Sequence, residues 1–208
     1  EMCIRDRVCT LWSDVWFFMV GVRCRVHFEV PHDPSQQYIF IANHSSYLDA
    51  AILVHVVRQP VRVLGKAEIA RIPLFGYIYR KAIVTVDRSS PEDRARSVAV
   101  LKSVLLKGVS VFIFPEGTFN MTPEPLKNFY DGAFRIAIET QTPLKPILLL
   151  DVPDRMRTDR FLSLRPGSCR AVYLHEIGVS GYDASQVDQL KAFTFQFMEK
   201  KLQEYKAR

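Results

Sequence analysis

Residues 107–118 read Lys107-Gly108-Val109-Ser110-Val111-Phe112-Ile113-Phe114-Pro115-Glu116-Gly117-Thr118. The run Ser110–Phe114 is continuously apolar after its first residue, the pattern of a strand buried on both faces. A helical pattern precedes it. Ser90 stands at an N-cap position, Pro91 at the first helical position, and Asp93 completes an S-x-x-D box. Val98, Leu101, Val104 and Leu105 fall on one face, and Gly108 ends the helix.

The same alternation extends in both directions. Tyr38–Ala42, Val61–Leu64, Ala82–Val86, Lys145–Leu150 and Ala171–Leu174 read as strands. Ser46–Val57, Gly132–Thr140 and about Ala184–Tyr205 read as helices. The last of these places Val187, Leu190, Phe193, Phe197 and Leu202 on one stripe. Met156–Pro166, with Arg157, Arg160 and Arg165, reads as an exposed loop. Strands alternating with helices predict an α/β domain with a largely parallel, mixed sheet flanked by helices. No internal repeat or low-complexity stretch interrupts it.

Composition bounds the rest. The chain has 208 residues, 48% apolar and 24% charged, with a net charge of +6. That is enough apolar content for one domain with a full core, and it excludes a disordered chain. The four cysteines, Cys3, Cys9, Cys24 and Cys169, form no C-x-x-C pair, which excludes a zinc ribbon and argues for free thiols in a reducing cytoplasm. The mean hydropathy of +0.00 excludes a polytopic membrane protein, while a pI of about 9.2 suits an anionic surface. The basic residues are scattered and carry no aromatic-basic motif, so no nucleic-acid partner is expected.

The N-terminus reads in two parts. Residues 1–7 have no periodicity or cap, and Met2-Cys3-Ile4-Arg5-Asp6-Arg7 resembles the translation of a sequencing-adapter end. They are read as an artefact, with the native chain truncated before Val8. Their charges cancel, so the +6 belongs to the remainder. Residues 8–25 hold a run of large apolar side chains, among them Trp12, Trp16, Phe17 and Phe18, followed by Arg23 and Arg25. The run from Val15 to Val22 falls short of the roughly 20 residues that span a bilayer. It suits a helix lying in the lipid interface, or the remnant of an anchor, and equally a helix packed on the domain. The domain proper is read as residues 26–208.

Two polar clusters follow apolar strands, where α/β proteins place ligands. They are Asn43-His44-Ser45-Ser46-Tyr47-Leu48-Asp49 and Pro115-Glu116-Gly117-Thr118. On a regular helix, five residues at ~100° each leave two side chains about 140° apart. His44 and Asp49 therefore meet only if His44 lies in the turn before a helix and Asp49 in its first turns. Asn43 or Ser45 is then available as the helix cap. His27, His32, His55 and His175 show no ligand spacing, and no metal is expected.

His44-x4-Asp49 resembles the catalytic motif of the glycerolipid acyltransferases, the lysophosphatidic acid acyltransferase family. Phe114-Pro115-Glu116-Gly117-Thr118 resembles the family's second block. Gly65-Lys66-Ala67-Glu68-Ile69 with Pro73 and Gly76 resembles the block between them, and Lys145-Pro146-Ile147 a late proline motif. The four blocks stand in order across about residues 38–150. The resemblance implies acyl transfer from acyl-CoA or acyl carrier protein to the hydroxyl of a lysophospholipid acceptor, at a membrane surface on its cytoplasmic face, with no cofactor.

In that chemistry a hydroxyl needs a general base, and imidazole titrates in the right range. His44 is expected to take the proton and Asp49 to hold its other ring nitrogen. The absence of a G-x-S-x-G elbow argues against Ser45 or Ser46 as a nucleophile, and for direct attack without an acyl-enzyme. The resemblance further implies that Glu116 orients the glycerol, that Gly117 lets the backbone approach, and that Thr118 belongs to the same substrate-binding block. It implies that Lys66 and Arg88 supply positive charge, and that Pro146 lines the acyl site.

Two departures stand out. The family's second block continues with an arginine that contacts phosphate, and here the residue is Phe119. Tyr130-Asp131 precede Gly132 where relatives often carry basic residues. Either another cation substitutes, with Arg80, Lys81, Arg88 and Lys127 available, or the acceptor lacks a phosphate, as in a lyso-amino-acid lipid. A non-catalytic lipid-binding relative would lack His44 or Asp49, and both are present. An ester hydrolase would need a nucleophile elbow or metal site, and neither is seen.

Overall fold

The computed structural model describes residues 4–66, 83–86, 91–158 and 163–207. Seven strands among them form one sheet: β1 (Val22–Phe28), β2 (Ile39–Ala42), β3 (Val61–Lys66), β4 (Ile83–Val86), β5 (Ser110–Ile113), β6 (Leu144–Leu150) and β7 (Gly167–Tyr173). The spatial order is β1-β7-β6-β2-β5-β3-β4. Every neighbouring pair is parallel except β6 with β7. The expected largely parallel, mixed α/β sheet is therefore the one observed. The helices are α1 (Ile4–Met19), α2 (Leu48–Val56), α3 (Pro91–Leu106), α4 (Gly132–Thr140), α5 (Val152–Arg155) and α6 (Val187–Lys206), the last entered through a 3-10 turn at Ala184–Gln186.

The central strands are buried on both faces because alternate side chains feed two different cores. In β2, Ile39 and Ile41 pack with Val111, Ile113, Leu148 and Leu150 against α3, α4 and α6. Phe40 and Ala42 pack with Phe112, Ile147 and Leu149 against α1 and α2. Each fully buried Phe or Leu contributes on the order of 1.5–3 kcal/mol by removal from water. The helix α3 begins at Pro91 as expected, while the side chains of Ser90 and Asp93 lie outside the described residues. Gly108 ends it at φ 75°, a left-handed conformation that lets its N–H reach the Leu105 carbonyl at 2.9 Å.

Three expectations need correction. The helix expected across residues 8–25 ends at Met19, and Val22–Phe28 is a strand pairing with β7 along its whole length. The segment Val22-Arg23-Cys24-Arg25-Val26-His27-Phe28 alternates apolar and polar residues, which is the period of a strand. At its other end α1 runs back to Ile4, so Val8 is not a structural boundary. In α6 the buried line is Val187, Leu190, Thr194, Met198, Leu202 and Tyr205. Those positions recur every three or four residues, and Phe193, one residue before Thr194, falls about 100° off that line. It is 51% exposed and stacks on Phe197 with the rings 2° from parallel.

The loop after α5 is also less exposed than expected, since Met156 is buried there and packs with the core under α2.

The two faces of α6 can be told apart by stability. Met198→Ala should cost about 2–5 kcal/mol in urea unfolding, and Phe193→Ser about 1 kcal/mol or less. Equal losses would overturn the assigned helix face.

Candidate active site

The strands β2 and β5 are parallel neighbours, with Ile39 opposite Val111 and Ile41 opposite Ile113. The loops leaving their C-terminal ends therefore run side by side, at the edge where such sheets bind ligands. The loop from β2 carries Asn43 to Tyr47, and the loop from β5 carries Phe114 to Asn120.

His44 lies in the turn before α2 and Asp49 in its first turn, the arrangement that the five-residue spacing requires. Nδ1 of His44 lies 2.9 Å from Oδ2 of Asp49. The same oxygen accepts the backbone N–H groups of Ser45 at 2.6 Å and Ser46 at 2.8 Å. Asp49 is fully buried, while the His44 side chain keeps 17% exposure. A carboxylate accepting these bonds assigns the ring proton to Nδ1 and leaves Nε2 as the basic nitrogen.

The helix cap differs from expectation. Asn43 does not cap α2. Its amide donates to the Leu149 carbonyl at 2.9 Å and accepts the Leu149 N–H at 2.8 Å. That pair of side-chain hydrogen bonds ties the residue after β2 to the backbone of β6. Nor does the Ser45 side chain cap the helix. The capping position is held by Tyr47, whose side chain makes no cap hydrogen bond, and the turn is closed by Asp49 reaching back.

Aromatic rings enclose the imidazole. Phe114 stacks on it with ring centres 3.9 Å apart and planes 14° from parallel. Phe119 meets it edge-on at 4.4 Å, and Tyr47 meets Phe119 at 4.7 Å. Phe119 thus occupies the position after Thr118 as part of the histidine's packing.

Glu116 is fully buried. One carboxylate oxygen accepts the His44 N–H at 2.8 Å, and the other accepts the Lys127 N–H at 3.0 Å. Both oxygens accept backbone N–H groups, so Glu116 ties the turn that carries His44 to the segment that carries Lys127. Burial pushes its pKa up to about 7, against the pull of those two N–H donors. Gly117 sits at φ 72° and returns its N–H to the Phe114 carbonyl at 3.0 Å, a turn that favours glycine. The Asn120 N–H closes the loop onto the His44 carbonyl at 2.7 Å.

A cavity of about 700 Å³ opens beside these loops. Its floor is apolar, with Leu64, Val98, Leu101, Ile113 and Ile136, and its rim carries Gly117, Thr118, Tyr130 and Asp131. Phe114 is a wall of this cavity and also the stacking partner of His44.

The structure thus brings together His44, Asp49, Gly117 and Thr118, with Glu116 directly behind them. Pro146 is not among the cavity's lining residues. It is buried within β6 opposite Ile41. Lys66 ends β3, but its side chain lies outside the described residues, as do Arg80, Lys81, Arg88 and the block Ala67 to Gly76. Sequence reading missed Asn43 as a strand bridge, Phe114 as the ring under His44, and Thr158. The Thr158 hydroxyl donates to the Ser45 carbonyl at 2.6 Å. Only Phe114 had a visible signal, as the aromatic residue that ends the apolar run before Pro115.

Comparison with known proteins gives the family. A family model described as Acyltransferase matches residues 23–150, more than half of the chain. A 1-acyl-sn-glycerol-3-phosphate acyltransferase of Cocos nucifera is 30% identical over 152 residues, covering 72% of this chain and 49% of the relative. One from Escherichia coli K12 is 30% identical over 168 residues, covering 80% of this chain and 67% of the relative. The chain thus spans about half to two thirds of the length of these curated relatives. The crystal structure of the 1-acyl-sn-glycerophosphate (LPA) acyltransferase from Thermotoga maritima superposes with a TM-score of 0.79 at 21% identity, covering 98% of this chain and 80% of that one. This likeness concerns the fold.

The raised pKa of Glu116 gives a signed prediction. Between its ordinary value of 4.5 and about 7, the folded chain keeps a proton that the unfolded chain releases. Stability from this group is complete below that window and falls as pH rises through it, by on the order of 3 kcal/mol. Thermal unfolding should show this fall in the wild type and a flatter profile in Glu116→Gln. Parallel profiles would contradict the assignment.

Proposed function

We propose, on the premise that the chain belongs to the acyltransferase family, that it moves a fatty acyl group from a thioester to the free hydroxyl of a lysophospholipid. The donor is acyl-CoA or acyl carrier protein. The acceptor favoured by the named relatives is 1-acyl-glycerol-3-phosphate, giving phosphatidic acid. The observation that carries this reading is the buried Asp49 bonded to His44 Nδ1 beside an apolar cavity.

The chemistry follows from the pair. Nε2 of His44 takes the proton of the acceptor hydroxyl as its oxygen attacks the thioester carbonyl carbon. Asp49 fixes the imidazole's tautomer and stabilises the imidazolium that forms. The tetrahedral intermediate collapses with cleavage of the C–S bond, and the imidazolium returns its proton to the leaving thiolate. The products are an ester and a free thiol, and no acyl-enzyme forms. The apolar cavity suits a fatty acyl chain, and the rings of Phe114 and Phe119 keep water from the base.

The membrane surface is the second part of the proposal. No helix among the described residues is long and apolar enough to cross a membrane. On α1, Val8, Leu11, Trp12, Val15, Phe18 and Met19 form an exposed apolar stripe, with Phe18 at 86% and Met19 at 76% exposure. The opposite face is held to the domain. Phe17 is buried, and Asp14 binds His55 at 2.7 Å and Arg58 at 2.8 Å. The helix packs on the domain through one face and leaves an apolar face outward, which supports the lipid-interface reading. Phe17, expected among the lipid-facing residues, belongs to the inner face. Arg23 and Arg25 are exposed just beyond it, suited to anionic lipid.

A second acceptor reading rests on Phe119, whose ring packs on His44 where a phosphate-gripping arginine was expected. It is a lyso-amino-acid lipid, whose head group is not a phosphate. A non-catalytic lipid-binding role is disfavoured by the intact His44–Asp49 pair.

His44→Ala should lower kcat by on the order of 10³-fold or more while leaving Tm within a few degrees. The assay is thiol release from acyl-CoA or acyl carrier protein on addition of lysolipid. Near-wild-type activity in this variant would refute the base, and thiol release without lysolipid would indicate a thioesterase. For the membrane surface, Leu11→Glu with Phe18→Glu should cut co-flotation with anionic vesicles about tenfold or more without loss of fold by circular dichroism. Unchanged flotation would remove α1 from the lipid contact.

A further inference from the structure

We propose that Lys127 is the cation that receives the acceptor's anionic head group, at the rim of the cavity beside His44. This inference deepens the acyl-transfer reading and rests on it. Its first support is position. The Lys127 N–H is bonded to one oxygen of buried Glu116 at 3.0 Å, and the other oxygen holds the His44 N–H at 2.8 Å. A single rigid carboxylate therefore sets the spacing between the base and this lysine.

The second support is the side chain. Nζ of Lys127 donates to the Thr118 hydroxyl at 2.8 Å, and Thr118 is a wall of the cavity. A lysine ammonium has three N–H donors, and the hydroxyl takes one of them without neutralising the charge. The nearby carboxylate on the rim is otherwise engaged, because Asp131 accepts from Lys191 Nζ at 2.6 Å. The two aromatic residues of the rim region, Phe119 and Tyr130, supply no positive charge. Among the described residues, Lys127 brings positive charge to this rim through its contact with Thr118.

The ligand chemistry follows. An ammonium is a point charge on a flexible stem and lacks the planar fork that grips phosphate in two places. It selects an anion over a neutral head group more strongly than it selects among anions. The shared chemistry is a head-group anion, either the phosphate monoester of lysophosphatidate or the carboxylate of a lyso-amino-acid lipid.

The test measures acyl transfer by the full chain in mixed micelles with three acceptors: lysophosphatidate, a lyso-amino-acid lipid and neutral 1-monoacylglycerol. The wild type should prefer an anionic acceptor about tenfold or more in kcat/KM. The arm that reacts best names the anion's source. Lys127→Met should bring the anionic-to-neutral ratio close to one, by raising KM for the anionic acceptor more than it lowers kcat. Lys127→Arg, which keeps the charge, should restore the preference. The inference is overturned by a wild type indifferent to head-group charge, or by a Lys127→Met variant that keeps the full preference. It is also overturned by equal losses on all three acceptors, which would mark a structural lysine. Transfer to none of them by the wild type would instead overturn the acyltransferase reading, and this inference with it.

Discussion

Two carboxylates hidden from solvent hold the site together, and His44 is the residue both of them grip. Asp49 takes the ring through Nδ1, and Glu116 takes the backbone N–H. Burying a carboxylate is costly unless hydrogen bonds satisfy it, and a buried N–H left unpaired costs about 1–3 kcal/mol. Each need answers the other here. Ser45, Ser46 and Lys127 supply the remaining N–H donors. The backbone and the ring of His44 are thus held by two different carboxylates. That over-determination is what a preorganised site needs.

The parallel pairing of β2 with β5 makes this possible. Their matched register ends both strands at the same level, so the loop of one can furnish N–H donors to the carboxylate of the other. Asn43 adds β6 to the arrangement through its paired bonds at Leu149. Three adjacent strands thus converge on the turn that carries His44, and none of these links requires a cation.

Much of this was legible in the sequence, and what was not has identifiable causes. Ser110–Phe114 and Lys145–Leu150 read as strands because a doubly buried strand needs no polar face, and both lie at the centre of the sheet. The spacing of His44 and Asp49 required a turn before a helix, which is what forms. The strand β1 went unread because its partner, β7, begins about 145 residues later and an edge strand tolerates arginines on its wet side. The role of Glu116 was hidden for a similar reason. A carboxylate set between Pro115 and Gly117 in a turn looks like a surface group, and the N–H donors that make it a buried one come from His44, 72 positions earlier, and Lys127, 11 later. In α6, aromatic content suggested a stripe through Phe193, but the spacing of Thr194 and Met198 decided the buried face. Side-chain size was a weaker guide than period.

Satisfying buried anions with backbone donors has a consequence for charge. A site whose Asp and Glu were neutralised by Lys or Arg would leave those cations no capacity for a substrate. Here the link between Glu116 and Lys127 runs through the lysine's backbone, so its ammonium extends to the Thr118 hydroxyl instead. The anions face inward and the cation faces the cavity rim. With 28 basic against 22 acidic residues, a chain that directs carboxylates at its own N–H groups keeps positive charge available for acidic partners.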